Sequence, residues 1–470
     1  MSGVRLPVLQ DAPNAGSASG ATGSILRDGR RKQIVPADVS GPFNRGRKVG
    51  FALLIGLWAA LPWVRIGGAP AVFLDDEARK FFLFGATFNA QDTWLLFFLL
   101  SGTAFGLVYV TALAGRAWCG WACPQTVFLE GVYRPIERLV EGSRERHLRR
   151  DAGAMTLERA ARKTIKHALF LLASVLVAHI VLAYFVSLPR AFAMVRSSPL
   201  AHPEAFAWVF AVSALFYGNF AWFREQFCVV MCPYGRLQSV LLDEDSLVVG
   251  YDSTRGEPRG KKGKTEGDCV DCNRCVVVCP TGIDIRNGLQ MDCLACTACI
   301  DACDEVMDRV GRPRGLIRYD SPNGLAGKPR RIIRPRVVLY SVLLVVGAGV
   351  AFFATRARTD FEATITRLRG APYSIENDAI RNAFDLHVVN KRGQKETFDV
   401  AVDAPNDVQA IVPIATLEVG PLADMHVPVF LTMPQARFHG DVPVKVKVVR
   451  ERTDGRDAIT SPISFLGAAR

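Results

Sequence analysis

Five runs of the chain are predominantly apolar: residues 49–64, 94–113, 168–188, 205–223 and 337–354. A helix rises 1.5 Å per residue and the hydrocarbon core of a bilayer is about 30 Å thick, so roughly 20 such residues make a crossing. The last four runs have about that length, and the first, at 16 residues, sits at the lower limit. Beyond residue 356 the period changes from helix to strand. Phe384-Asp385-Leu386-His387-Val388 and Val444-Lys445-Val446-Lys447-Val448 alternate apolar and polar side chains, with the turn-forming Asn390-Lys391-Arg392-Gly393 between runs. Several short alternating segments predict an antiparallel β-sandwich. The pattern therefore predicts a multidomain membrane protein, an α-helical transmembrane bundle of about five spans with a C-terminal β-sandwich.

Charge orients the spans. The 470 residues carry a formal net charge of +12 although half of them are hydrophobic. The basic residues flank the apolar runs instead of forming an aromatic-interleaved patch, which argues against a nucleic-acid partner. Arg27, Arg30, Arg31, Lys32, Arg45, Arg47 and Lys48 precede the first run. Arg144, Arg146, Arg149, Arg150, Arg159, Arg162 and Lys163 follow the second, and Lys328, Arg330, Arg331, Arg334 and Arg336 precede the fifth. The loop 189–204 has only Arg190 and Arg196. Basic loops stay cytoplasmic. The expected order is a disordered basic cytoplasmic tail (1–48, with no apolar core of a signal peptide), a transmembrane region with spans one to four (49–248), a cytoplasmic domain (249–335), a fifth span (336–355) and a periplasmic domain (356–470). The expectation is a multi-pass protein of a bacterial inner membrane with the lipid bilayer as its first partner; if the first run fails to span, the count becomes even and the last domain lies in the cytoplasm, in conflict with the basic tail.

Chemistry enters with the 12 cysteines, none of which follows Cys303. Cys269, Cys272, Cys275 and Cys279 read C-x2-C-x2-C-x3-C-P with Pro280, and after a connector of 13 residues Cys293, Cys296, Cys299 and Cys303 repeat the spacing with Asp304 in place of the proline. This is the spacing of two [4Fe–4S] clusters, in which the fourth cysteine of each copy ligates the other cluster. Cys269, Cys272, Cys275 and Cys303 then hold one cluster, and Cys293, Cys296, Cys299 and Cys279 its neighbour. Structural zinc uses isolated C-x2-C pairs, and disulfide scaffolds belong to oxidising compartments. Residues 249–335 are expected to form a ferredoxin-like domain that moves single electrons.

Four more cysteines form a second repeat. Trp118-Cys119-Gly120-Trp121-Ala122-Cys123-Pro124-Gln125 follows the second span, and Phe227-Cys228-Val229-Val230-Met231-Cys232-Pro233-Tyr234 follows the fourth. Proline favours the first position of a helix, which places Cys123 and Cys232 at helix starts, where the dipole favours thiolate. Four thiolates from two such motifs make a soft site for Cu(I), zinc or an iron–sulfur cluster. The histidines say less. His167 and His179, 12 residues apart in the third span, do not share a helix face well, and a haem would need partners that the other spans lack. His387, His426 and His439, with Met425 and Met433, offer the donors of a periplasmic metal site, against the plainer reading of ordinary surface and core residues.

With both thiol sets in place, the chain resembles the cytochrome c oxidase accessory proteins called CcoG, FixG or RdxA. The resemblance runs through Val35-Pro36, Gly41-Pro42-Phe43, Ala78-Arg79-Lys80-Phe81, Leu83-Phe84-Gly85 and, most specifically, Gly115-Arg116-Ala117 leading into the first C-x3-C-P. It implies an immunoglobulin-like C-terminal domain and a membrane-bound cupric reductase. Electrons would pass from a cytoplasmic donor through two [4Fe–4S] clusters to copper at Cys119, Cys123, Cys228 and Cys232. Cu(I) would then leave for a copper transporter, a chaperone or the subunits of a cbb3-type cytochrome c oxidase under assembly. Two other readings stay open on the residues: an electron-relay subunit between the quinone pool and a reductase partner, and a non-catalytic oxidase assembly scaffold. Whether the C-x3-C-P cysteines bind copper or a third cluster is likewise open.

Overall fold

The computed structural model describes residues 33–66, 69–76, 80–89, 92–260, 267–356, 359–452 and 455–468. The chain divides into two compact units, residues 1–78 with 96–350 and residues 79–95 with 351–470. The helices that matter, in chain order, are α1 (Pro42–Ala60), α2 (Thr93–Ala114), α3 (Ala117–Trp121), α4 (Pro124–Phe128), α5 (Arg134–Glu141), α6 (Leu157–Ala183), α7 (Pro203–Tyr217), α8 (Pro233–Leu241), α9 (Arg274–Val277), α10 (Ala298–Val310) and α11 (Pro335–Arg356).

Among the described residues four helical stretches are long and apolar enough to cross a membrane: Trp94–Ala114, Leu157–Ala183, Pro203–Phe223 and Pro335–Arg356. Large side chains such as Leu100, Leu172, Phe210 and Phe353 remain exposed along them. A water-soluble fold would bury that much apolar surface, so lipid covers it. The expected first span departs from the pattern. Residues 49–60 of it lie in α1, which begins inside the expected tail at Pro42, takes Arg45, Arg47 and Lys48 into its first two turns and ends at Ala60. It is not one of the four.

The start of α1 is tied down. Helix N-termini expose unsatisfied amides, and Gly41 offers no side chain to cap them. Asp301 of α10 does so instead, accepting from the Phe43 amide (3.3 Å) and the Asn44 amide (2.7 Å). A Cβ on Gly41 would strike the Asp301 side chain, which explains the glycine there. Upstream, the Ala37 amide donates to the Val277 carbonyl at 3.0 Å. Residues 33–48 are thus ordered, and the expected disordered tail otherwise lies outside the described residues.

Two antiparallel strands, β1 (Val248–Tyr251) and β2 (Ile317–Asp320), pair Val248 with Asp320 and Tyr251 with Ile317, and so close the cysteine-rich segment between them. Val249, Ile283, Ile285, Ile300, Met307 and Leu316 form its apolar core with the cysteines.

The second unit is the expected sandwich. Its strands are β3 (Phe361–Arg367), β4 (Ala379–Asn390), β5 (Glu396–Asp403), β6 (Gln409–Ile411), β7 (Thr416–Val419), β8 (Asp424–Pro434), β9 (Val442–Arg452) and β10 (Gly455–Phe465). One sheet runs β6-β8-β4-β3 and the other β7-β5-β9-β10, with a short strand Ser374–Glu376 beside β4. Alternation does what the pattern predicts. Phe384, Leu386 and Val388 meet Phe398, Val400, Val444, Val446 and Val448 in one core, leaving Asp385 and His387 on the outer face.

Candidate functional site

The two cysteine copies fold alike. The residues on either side of the middle cysteine of the C-x2-C-x2-C run take left-handed backbone in each: Asp271 (φ 52°) and Asn273 (φ 56°) around Cys272, Ala295 (φ 51°) and Thr297 (φ 62°) around Cys296. Such conformations cost about 1–3 kcal/mol each away from glycine and persist where the surroundings demand them. Here they coil the chain around its own sulfurs, and the Ala295 amide donates to Cys293 Sγ at 3.4 Å. α9 and α10 start directly after these turns.

Each copy borders a small cavity. One is lined by Cys269, Cys272, Cys275 and Cys303, the other by Cys279, Cys293, Cys296 and Cys299, with Cys275 at its edge. The fold brings together the two crossed quartets, and four thiols around each cavity fit the donor set of a [4Fe–4S] cluster. Burial pushes the Cys275, Cys293 and Cys303 thiols up to about 12. Cationic iron offsets that penalty when the thiols ligate as thiolates. The missing second proline has a structural reason. Cys279 ends in a turn through Pro280 to Gly282 (φ 72°), whereas Cys303 sits inside α10. A proline at 304 would remove a helical hydrogen bond and clash with the preceding turn. Asp304 accepts instead from the Gly315 amide at 2.9 Å.

The four remaining cysteines gather beside this domain. Cys119 lies on α3, Cys123 directly precedes α4, Cys228 lies on a π-helical turn (Phe227–Met231) and Cys232 directly precedes α8. Cys119 Sγ donates to Gln238 Oε1 on α8 at 3.4 Å, which links the two motifs. The thiolate preference expected from the helix start does not hold at Cys123. Burial is the largest influence and pushes its thiol up, against the Gln125 and Thr126 amides that favour thiolate. Burial also lifts Cys119 to about 11, and it raises Cys228, with neighbouring thiols adding to both shifts. Among the described residues no three of these four sulfurs lie within 4.8 Å of one another. With metal–sulfur bonds of about 2.3 Å, two sulfurs on one ion stand at most about 4.6 Å apart. A single ion therefore meets at most two of the four at a time in this arrangement.

The first motif backs onto the second cysteine copy. A Cβ on Gly120 would come within 2.7 Å of both the Leu294 and Ala295 carbonyl oxygens, so only glycine allows this approach. Arg116 locks it: its guanidinium donates to the carbonyls of Met291, Cys293 (3.1 Å) and Gly235 (2.9 Å). Arg47 donates to the Gly120 carbonyl at 3.1 Å, and Phe43 packs edge-on against Trp121. Gly235 repeats the device, since a Cβ there would lie 2.8 Å from the Cys228 carbonyl oxygen.

Buried charges hold the frame. Arg224, four residues before Cys228, reaches both carboxylate oxygens of Glu137 on α5. Lys166 stands 3.7 Å from Glu137 and 3.2 Å from Glu141. Arg134 pairs with Glu130 and donates to the Pro280 carbonyl at 3.1 Å. Sequence reasoning missed these residues, because Glu137 and Arg224 meet across 87 residues of chain and share no local spacing. The histidines fall out separately. His167 Nδ1 bonds the Tyr217 hydroxyl (2.9 Å) and His179 Nδ1 the Val175 carbonyl (2.7 Å). His387 and His426 stack on each other, while Met433 is buried in the sandwich core and Met425 packs against it.

Three family models match the chain: a 4Fe-4S binding domain over residues 95–142, a 4Fe-4S dicluster domain over residues 223–322, and the IG-like fold at the C-terminal of FixG over residues 351–468. The dicluster match includes both cysteine quartets together with Cys228 and Cys232. The first match contains Cys119 and Cys123 alone. The chain is similar to Protein RdxA of Cereibacter sphaeroides, 37% identical over 425 residues that cover 86% of this chain and 90% of the relative. Nitrogen fixation protein FixG of Rhizobium meliloti is 34% identical over 463 residues, covering 87% and 88%. Protein RdxB of Cereibacter sphaeroides is 34% identical over 430 residues, covering 86% and 88%.

Proposed function

This chain belongs to the RdxA and FixG family of iron–sulfur electron-transfer proteins of the membrane, and on that footing we propose that it reduces Cu(II) to Cu(I) at Cys119, Cys123, Cys228 and Cys232 for assembly of a cbb3-type cytochrome c oxidase. One observation carries the reading: the backbone of Gly120, beside Cys119, lies directly against the Leu294–Ala295 carbonyls of the second cysteine copy. Cys269, Cys272, Cys275 and Cys303 would hold one cluster and Cys279, Cys293, Cys296 and Cys299 the other; such clusters would supply electrons singly, and Cu(II) would take up one in becoming Cu(I). Cu(II) prefers nitrogen and oxygen donors and Cu(I) prefers sulfur. Thiol donors here therefore favour the reduced ion.

Topology follows from the basic flanks. The cysteine-rich domain faces the cytoplasm, where a soluble donor meets it. A fifth crossing is assigned to the apolar run 49–64, which leaves Val49, Leu53 and Leu57 exposed on α1 and Trp63 exposed just beyond it, and this crossing puts the C-terminal domain in the periplasm. Cu(I) then leaves for a copper transporter, a chaperone or the oxidase subunits.

A second reading has specific support. The 4Fe-4S binding model over residues 95–142 contains only Cys119 and Cys123, and the four sulfurs are spread wider than a single ion needs. In that reading the four hold a third cluster, and the chain relays electrons between the quinone pool and a reductase partner. Iron and copper per chain in anaerobically purified protein separate the two. About eight irons with tight copper binding supports the reductase, and about 12 irons without copper affinity supports the relay. Changing Cys123 and Cys232 to serine is expected to abolish Cu(II) reduction while the iron content stays at about eight per chain. Loss of iron together with activity would sink the copper site.

A further inference from the structure

We propose that the C-terminal domain carries a binding site for a divalent transition-metal ion, Cu(II) the most tightly, made by His387, Asp424 and His426. Their ligand atoms all lie within 4.8 Å of one another. Asp424 Oδ2 stands 3.0 Å from His387 Nε2 and 3.9 Å from His426 Nε2, so two imidazole nitrogens and a carboxylate oxygen converge.

Strand pairing builds the convergence. His387 on β4 and His426 on β8 are direct cross-strand partners, and Asp424 sits opposite Val389. Alternation puts His387, Asp424 and His426 on the outer face, where opposed side chains are close neighbours. The imidazoles stack with centroids 4.1 Å apart at 8°. An orienting group is present as well. Asp385, two residues before His387, accepts from His426 Nδ1 at 2.7 Å. A carboxylate on one ring nitrogen fixes the tautomer and leaves the other nitrogen free to ligate, the arrangement that metal-binding histidines usually show.

The donor set selects the ion. Magnesium and calcium demand all-oxygen shells. Imidazole with carboxylate suits copper, nickel or zinc, and among these divalent ions affinity peaks at Cu(II). Asp424 and His426 are more than half exposed, so an ion reaches them from solvent. Binding stands on these residues alone.

The test uses the full-length protein in detergent, titrated with copper sulfate and followed by electron paramagnetic resonance. One Cu(II) per chain is expected, with splitting from two nitrogens. The same signal is expected when Cys119, Cys123, Cys228 and Cys232 are all serine, so failure of the reductase reading leaves this prediction intact. His387→Gln with His426→Gln is expected to remove the two-nitrogen splitting, and Asp385→Asn to weaken affinity on the order of 10-fold. Circular dichroism melting should show the sandwich still folded in both variants, since the altered side chains face outward. Zinc sulfate should compete with the copper only in large excess, and magnesium chloride should not compete at all. Unchanged Cu(II) affinity in the double variant, or displacement by magnesium, overturns the proposal.

Discussion

Glu137→Gln tests whether buried charge, and not apolar packing alone, positions the second C-x3-C-P motif. Glu137 is 6% exposed, with Arg224 at 2% and Lys166 at 6% beside it. Glutamine keeps the shape and one acceptor oxygen but leaves two buried cations short of a counter-charge. Breaking a buried pair from one side costs about 3–5 kcal/mol. Lys166 still has Glu141 at 3.2 Å, so the lower end, about 3 kcal/mol, is expected here. That is roughly a 100-fold shift in the local opening equilibrium, at about 1.4 kcal/mol per factor of ten. Labelling of Cys228 by a thiol reagent in detergent, with the rate read against denaturant, reports that opening. The pH dependence adds a sign. Burial pushes the Glu137 carboxyl up, but Arg224 and Lys166 together outweigh it and hold the carboxyl below its usual range. A depressed folded pKa means stabilisation that is present above the unfolded value of about 4.3 and lost as pH falls through the folded value. The gap between wild type and variant should therefore be full at pH 7 and shrink on acidification below about 4. A difference under about 0.5 kcal/mol, of the size of an ordinary surface substitution, or one independent of pH, would refute the reasoning.

Other expectations follow from close contacts. Gly120→Ala forces a methyl group against two carbonyl oxygens and should cost about 1–3 kcal/mol by overpacking. Cu(II) reduction should slow while both cluster signals survive in electron paramagnetic resonance, and an unchanged rate would count against the Gly120 contact as a functional approach. Asp304→Pro restores the repeat in sequence yet interrupts α10, at about 3 kcal/mol or more. Iron content should then fall below that of wild type, and full iron occupancy would show that Cys303 does not depend on the helix. Arg116→Lys, keeping charge but losing the fork that spans three carbonyls, should retain the clusters and lower the Cu(II) reduction rate.

Local pattern already contained much of this protein. The period of apolar residues marked the four long spans, because a bilayer demands length and composition and little else. Alternation marked the inward faces of β4 and β9, because successive strand side chains point to opposite sides. The two C-x2-C-x2-C-x3-C copies announced both quartets, since three of each four thiols lie within seven residues of chain. Tertiary structure decided what depends on distant partners. Asp301 caps α1 from 257 residues away, moving its start into the expected tail. Burial, a property of everything packed around a group, overrode the helix-start preference at Cys123. Glu137 and Arg224, 87 residues apart, became one pair, and His387 met His426 only through the register of β4 against β8. Sequence encodes period and spacing directly, whereas desolvation and long-range pairing exist only once the chain has closed on itself.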